Sequence, residues 1–184
     1  LLLEGGHSHR HALLDMPPGI FKMINGSKFM RYHHTTPQAH LDGRVHDIPQ
    51  GNVLGGGSSV NAQVYIRGRP ADYDEWNDLL RGNNDRIGWG WDDVLPYFIK
   101  AEDHDLGPSD VHGSEGPQHV TDISSLAHPL CQRFIAAGTA IGFPYSSDLN
   151  GTETEGVGVY QINTRGGRRA STANEYLRPV LRRG

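Results

Sequence analysis

The chain has 184 residues, a formal net charge of −4 and a mean hydropathy of −0.54. No apolar run approaches the ~18 residues of a membrane-spanning helix, and no broad basic field exists to meet nucleic-acid phosphates. The length allows one domain or one and a half, and the single cysteine, Cys131, permits no internal disulfide and fits a reducing compartment, so a cytoplasmic location is the expectation.

The chain opens on "LLLEGG" without Met and stops at "RPVLRRG". Both ends read as cut, so a segment of a longer protein is expected. Leu1 to Leu3 reads as the tail of a buried parallel strand, closed by Glu4 and the turn Gly5-Gly6. Residues 7–50 are polar and rich in His and Pro, a long loop with one short helix. The stretch "GNVLGGGSSVN", Gly51 to Asn61, follows. Ala62, Val64 and Ile66 then alternate, as an extended piece would. A helix is predicted over Ala71–Leu80, with Asp72 and Asp74 favourable near its start. Another begins in "GWGWDDVLPYFIKAEDH", capped by Asp92 or Asp93, with Pro96 in its first turn.

Residues 104–118 read as loop. Ser125–Ile141 is the clearest helix, because Leu130, Phe134, Ala137 and Ile141 share one face and Gly142 supplies a stop. "SSDLNGTETEGVG" is loop again, Val157 to Asn163 carries a strand pattern, and "RASTANEYLRPV" closes as a helix capped by Ser171 or Thr172. This order of elements predicts a mixed α/β or α+β fold.

Four groups of residues carry chemistry. Glycines clear side chains away from the backbone and admit positive φ, so Gly51–Asn61 reads either as a cradle for a phosphate-bearing cofactor, with Ser58 and Ser59 as added donors, or as a tight turn. It matches neither G-x-G-x-x-G nor the P-loop. Glu4, at a strand end, has the placement of an acid that binds ribose hydroxyls, or of a solvated strand-end carboxylate. His7, His9 and His11 in "HSHRH" alternate as metal ligands on a strand would, but no acid stands nearby to orient them. "TRGGRRAST" reads as a helix entrance with solvated arginines and a local ion pair to Glu175, and His112 in "VHGSEGP" as a loop residue.

Taken together, the segments "LLLEGG", "GNVLGGGSSVNAQVYIRGRPADYDEW", "GWGWDDVLPYFIKAED", "HGSEGP", "DLNGTETEGVGVYQ" and "GRRASTANEYLRP" resemble, in order, the glucose–methanol–choline (GMC) oxidoreductases, and within them the choline dehydrogenase and aryl-alcohol oxidoreductase branch. The resemblance implies an incomplete Rossmann-like FAD-binding domain: residues 1–6 the end of a Rossmann strand, 35–100 an FAD-covering segment with the family signature at 51–74, and 101–184 the start of the substrate region and the return to the FAD domain. It implies that Glu4 holds the adenosine ribose, that Gly51, Val53 and Gly55 line the loop beside the FAD, and that Asn61, Ala62, Gln63 and Val64 pass close to pyrophosphate and flavin. Some relatives attach FAD through a histidine just before the signature asparagine. Here that position is Val60, which implies non-covalent FAD. Asn52 stands where relatives often carry Lys or Arg.

The implied reaction moves a hydride from a small-molecule alcohol to the flavin, with oxygen or another electron acceptor reoxidising it. The family's base histidine falls beyond the last residue of this chain, so none of the 11 histidines inherits the role and no catalytic residue is expected here. No metal is expected either. A non-catalytic FAD- or partner-binding fragment is the alternative from another class, and a metal-binding segment built on His7, His9 and His11 a third.

Overall fold

The computed structural model describes residues 2–80, 88–152 and 155–183. In chain order these form α1 (Ala12–Asp15), α2 (Ile20–Met23), β1 (Met30–His34), β2 (Asp47–Gly51), β3 (Val64–Tyr65), α3 (Pro70–Leu80), α4 (Trp91–Ala101), β4 (Glu102–His104), β5 (Gln118–Val120), α5 (Pro129–Ala140), β6 (Gln161–Ile162), β7 (Thr164–Arg165), β8 (Arg168–Arg169) and α6 (Arg178–Leu181). The expected mixture of helix and strand holds. Strands among the described residues pair two by two: β1 with β2, β3 with β6 and β7 with β8 antiparallel, β4 with β5 parallel. The chain divides into two compact units, Leu1–Gln63 with Thr164–Gly184, and Val64–Asn163.

The first unit has an apolar centre. Leu14, Met23, Phe29, Val53 and Val60 are buried against one another. Residues 7–50 are therefore more structured than a loop: α1, α2 and the β1–β2 hairpin supply Leu14, Met23 and Phe29 to that centre. Short elements there escape a periodicity reading because four or five residues complete barely one repeat. The strand expected at Leu1–Leu3 is absent where it is described. Leu2 and Leu3 are 63% and 82% exposed and pair with no strand. Pairing begins at His7, which bridges Val53 in parallel.

The last helix starts at Ser171, whose Oγ accepts the Asn174 N–H at 3.3 Å, so the capping expected there falls on Ser171. It runs through a π-helical turn, Ala173–Leu177, into α6. Arg165 Nε donates to Glu175 at 2.9 Å, the local ion pair expected of this segment. Arg169 is not a solvated cation, as it was read to be; it is 2% exposed.

The second unit has a polar centre. Among the described residues its buried apolar side chains are Val120 and Ile135, while Arg67, Asn77, Glu102, His104, His112, Ser146, Asn150 and Gln161 are all buried. The strand pattern at Ala62–Ile66 runs opposite to expectation, because Val64 and Ile66 face outward and Gln63 and Arg67 are buried. Helix α3 starts with Pro70 at its first position, and Asp72 Oδ2 accepts the Arg69 N–H at 2.9 Å. Helix α4 begins one residue before Asp92. Its start is held by Asp74 of α3, whose Oδ1 accepts the Trp91 N–H at 2.9 Å, so neither Asp92 nor Asp93 is the cap. Pro96 accordingly lies inside the helix rather than in its first turn. Tyr73, Trp91 and Phe98 stack between the two helices with centroids 5.6–6.1 Å apart.

Helix α5 is shorter than the 125–141 span expected, since Ser124–Leu126 is a separate 3-10 turn and His128 Nδ1 caps the helix at Leu130 N–H. Its end is the one expected. Gly142 has φ +103°, Phe143 N–H donates to Gly138 O and Gly142 N–H to Thr139 O, a Schellman stop. The face that packs is a different one. Leu130, Phe134 and Ile141 are exposed, while Ile135 is buried and Gly138 presses on Val157; a Cβ at Gly138 would stand 2.8 Å from Val157 Cγ1.

Candidate functional site

The glycine-rich segment lies in the first unit as a folded-back loop. Strand β2 ends at Gly51, which has no room for a side chain because a Cβ there would sit 2.3 Å from Gly56 O. The loop continues past buried Val53 to Gly55 and Gly56, at φ +89° and +53°, and then makes a 3-10 turn over Gly56–Ser59. The same backbone is tied to the N-terminal segment. His7 N–H donates to Asn52 O and Leu54 N–H to His7 O, both at 2.9 Å. Gly6 lies against Asn52, with 2.4 Å from its ideal Cβ to the Asn52 carbonyl carbon.

The serines do a different job from the one expected of them. Ser58 Oγ donates to Gly55 O at 2.6 Å and Ser59 Oγ to Leu54 O at 2.7 Å, and Ser59 is 1% exposed. Their hydroxyl hydrogens hold the loop's own carbonyls and are not offered to a ligand. Ser58 also meets Thr172 Oγ1 and accepts the Thr172 N–H, both at 3.0 Å, so it joins the loop to the last helix.

A second clamp comes from Arg169. Its Nε donates to Leu14 O at 3.0 Å, and its Nη1 to Ser58 O at 3.3 Å, Asn61 O at 2.7 Å and Asn61 Oδ1 at 2.8 Å. Burial holds its pKa down to about 10, still far above neutrality. One cation therefore ties the carbonyl of Leu14 to those of Ser58 and Asn61 in the glycine-rich loop, a task that the planar fork suits and an ammonium does not.

Beside this loop runs a groove of about 500 Å³, walled by Ile20, Ile24, Met30 and Val60 and floored by Gly51, Gly57, Asn61 and Ala62. Gly57 is informative. Its φ is not positive, and a Cβ added there would meet nothing within 4 Å. The space above Gly57 is open and forms part of the groove's lining. An apolar slot whose floor is bare backbone fits a planar aromatic ring that comes close to peptide N–H groups.

Of the residues singled out in the sequence, Gly51, Asn61 and Ala62 line the groove, and Val53 and Gly55 belong to the adjoining loop, Val53 packed into the apolar centre and Gly55 at positive φ. Gln63 is buried at φ +66°. Val64 is exposed on β3 and belongs to the second unit. Glu4 is exposed, with Oε1 accepting the Gly6 N–H at 2.7 Å. His7, His9 and His11 are not gathered. His7 and His11 flank the Phe29 ring, His11 Nδ1 accepts the Leu13 N–H, and His9 is buried apart from them.

The second unit holds a constellation that a sequence reading missed. His112 is 4% exposed, with Nδ1 2.8 Å from Glu102 Oε2 and Nε2 2.7 Å from Asp148 Oδ2. Glu102 Oε2 also takes Arg67 Nη2 at 2.5 Å and the Gly113 N–H at 3.0 Å. Asn150 Nδ2 donates to Gln161 Oε1 at 2.8 Å and Gln161 Nε2 to Asp148 Oδ1 at 3.1 Å. Burial alone would lower the His112 pKa, but the Asp148 and Glu102 carboxylates override it and push it up to about 9. Burial raises Glu102, yet His112, Arg67 and the Gly113 N–H bring it below its usual value. His104, ring to ring with His112 at 4.1 Å, is held down by burial and by the His112 charge.

Glu102, His104 and His112 group as metal ligands do. The donor set opposes that use, because both His112 nitrogens are already donated to carboxylates and a guanidinium occupies the same Glu102 oxygen. Arg67, Glu102, His112 and Asp148 form a charge-balanced core, beside which Glu102 Oε1 and His104 Nε2 have no hydrogen-bond partner. Gly113, whose Cβ would fall 1.9 Å from Ile99 O, is what brings His112 inside.

His112 is charged in the folded state at neutral pH, with a pKa raised from 6.5 to about 9. Its contribution is complete below pH 6.5 and is lost as pH rises through 9. Thermal melts at pH 7, 8.5 and 10 should therefore show stability falling, with the fall flattened in His112→Gln. Equal alkaline slopes in both proteins would rule out the doubly clamped imidazolium.

Comparison with known proteins places this architecture. The family model described as GMC oxidoreductase matches residues 2–184. The chain belongs to the GMC oxidoreductase family. As a GMC chain it is 41% identical over 170 residues to the mitochondrial choline dehydrogenase of Mus musculus, covering 92% of this chain and 28% of that protein. It is 40% identical over 184 residues to the oxygen-dependent choline dehydrogenase of Photobacterium profundum, covering 100% of this chain and 32% of that one. Among solved structures, pyridoxine 4-oxidase from Mesorbium loti superposes with a TM-score of 0.87 at 32% identity, over 97% of this chain and 34% of that one. An FAD-dependent oxidoreductase from Chaetomium thermophilum does so at 0.81 and 27% identity, over 97% and 32%. The GMC chain thus spans about a third of the length of the relatives it matches.

Proposed function

We propose that this GMC chain supplies the FAD-holding loop and the early substrate region of an FAD-dependent oxidoreductase that turns small-molecule alcohols into aldehydes or ketones. The carrying observation is the apolar groove lined by Ile20, Ile24, Met30 and Val60 beside Gly51, Gly57, Asn61 and Ala62, where a Cβ on Gly57 would meet nothing within 4 Å. In this assignment residues 1–6 lead to the ribose, 35–100 cover the FAD, and 101–184 start the substrate region and return to the FAD domain.

Bound FAD supplies a hydride acceptor at N5. The chain's own residues bind and orient it. Glu4 keeps one carboxylate oxygen on Gly6 N–H and offers the other to ribose hydroxyls. Ile20, Ile24, Met30 and Val60 wall the ring off from water. Arg169 and Ser58 hold Gly55–Asn61 at fixed spacing, so the cofactor meets a preorganised loop. Val60 has no nucleophile and is packed into the apolar centre, which supports FAD held there without a covalent link. No residue of this chain is assigned the proton-accepting role.

The test uses the polypeptide as its gene encodes it. Purified protein should carry flavin absorbance and oxidise primary alcohols, choline and benzylic alcohols first among the substrates tried. Acid precipitation should release that flavin into the supernatant. Flavin that stays with the pellet would sink the non-covalent reading, and a colourless protein that does not take up added FAD would sink the function.

A further inference from the structure

The first unit contains a second cavity, of about 440 Å³, that shares no lining residue with the groove. Arg10, Arg168, Arg178 and Arg182 line it, opposed by one carboxylate, Asp15. Among the described residues none of the four guanidiniums is held in an ion pair. Arg178 and Arg182 stand four residues apart at the end of the chain's last helix, on the same side. Arg168 lies on β8, next to the buried clamp Arg169. The fold thus gathers cations from three separate segments around one concavity, against their mutual repulsion.

His9 also lines the cavity, is 7% exposed, and leaves Nδ1 without a hydrogen-bond partner. A buried unpaired ring nitrogen carries an uncompensated desolvation cost unless a ligand meets it. Burial, then the nearby charges of Arg10 and Arg178, push its pKa below the usual value. A multiply charged anion would offset that repulsion and accept a hydrogen bond from His9 Nδ1–H.

From these observations we propose that the cavity is an anion site for a phosphate-bearing small molecule, separate from the flavin groove. Planar guanidinium forks suit the tetrahedral oxygens of a phosphate, and four of them exceed the demand of a single carboxylate. The assignment does not depend on what the groove holds.

Inorganic phosphate is the probe. It is titrated by calorimetry at low ionic strength into the gene-encoded polypeptide, both flavin-loaded and flavin-stripped. The expected result is one saturable site in both forms. Replacing Arg10 and Arg178 by Ala should weaken it about tenfold per guanidinium removed, with flavin content unchanged. Asp15→Asn, which takes away only the repelling charge, should tighten binding severalfold, so the proposal does not rest on loss-of-function variants alone. Phosphate that binds only the stripped protein and is displaced by FAD would identify the cavity as part of the cofactor's own diphosphate site and overturn the proposal. So would affinity that none of the three substitutions changes.

Discussion

Replacing Glu102 by Ala is expected to cost the second unit about 3–5 kcal/mol, the usual result of stripping one partner from a buried charge pair. Glu102 is 1% exposed and takes three donors on one oxygen: Arg67 Nη2, His112 Nδ1 and the Gly113 N–H. Without it, Arg67 would face the interior with its charge met by Val111 O, the Tyr65 hydroxyl and the rings of Tyr65 and Phe98, and by no carboxylate. His112 would keep Asp148 but lose half its clamp. Glu102→Gln preserves shape and loses charge, and should fall between Ala and wild type. Removing both charges together, as Arg67→Met with Glu102→Leu, should recover part of the loss, because the expense lies in leaving one charge alone. Hydrogen exchange over residues 98–122 and 145–162 reads this locally. Protection in Glu102→Ala equal to wild type would show that the charges are not coupled to the fold.

This polar centre explains what was legible in the sequence and what was not. Helices α3, α4 and α5 were readable because they are long enough to show a period, and because Gly142 and Asp72 act locally through their own backbone. The capping of α4 was not, since Asp74 reaches Trp91 from another helix. Likewise His112 looked like one more polar residue in a loop. Its burial depends on Asp148, 36 positions on, and on Gly113 meeting the end of α4. A usable signal existed in Gly113 and Gly116, which follow it: two glycines with backbone at 1.9 and 2.2 Å from their ideal Cβ positions mark a chain pressed into an interior. Apolar periodicity also misjudged the working faces. Leu130 and Phe134 on α5 and Val64 and Ile66 near β3 are exposed in this chain, while polar Gln63 and Arg67 are inside. Gly51, Asn61 and Ala62 were named from the family resemblance, and all three lie in the lining of the groove. The apolar walls Ile20, Ile24 and Met30 went unnoticed, because they come from α2 and β1 in a segment without visible period.

The second large effect falls on that groove and tests the clamp under it. Arg169→Met keeps length and apolar bulk but deletes four hydrogen bonds to Leu14, Ser58 and Asn61. Only the bond to Leu14 O is fully buried and the others are part-buried; with a buried carbonyl left without its donor costing about 1–3 kcal/mol, a net loss of roughly 2–4 kcal/mol from the first unit is expected. Arg169→Lys should recover little of it. An ammonium cannot present Nε–H to Leu14 and a separate N–H pair to Ser58 and Asn61 from a rigid plane. The functional consequence is specific. Asn61 lines the groove and its Oδ1 also accepts the Gln63 N–H at 3.1 Å, so releasing it loosens the turn into Ala62 as well. Purified Arg169→Met should carry substoichiometric flavin, partly restored by excess FAD, and should lose exchange protection over residues 54–63 more than elsewhere. Adding FAD should return protection to that segment first, since ligand binding to the folded loop stabilises it by mass action. A variant with full flavin content and unchanged protection there would mean that the glycine-rich loop holds its shape without Arg169, and that the link from last helix to groove runs through Ser58 and Thr172 alone.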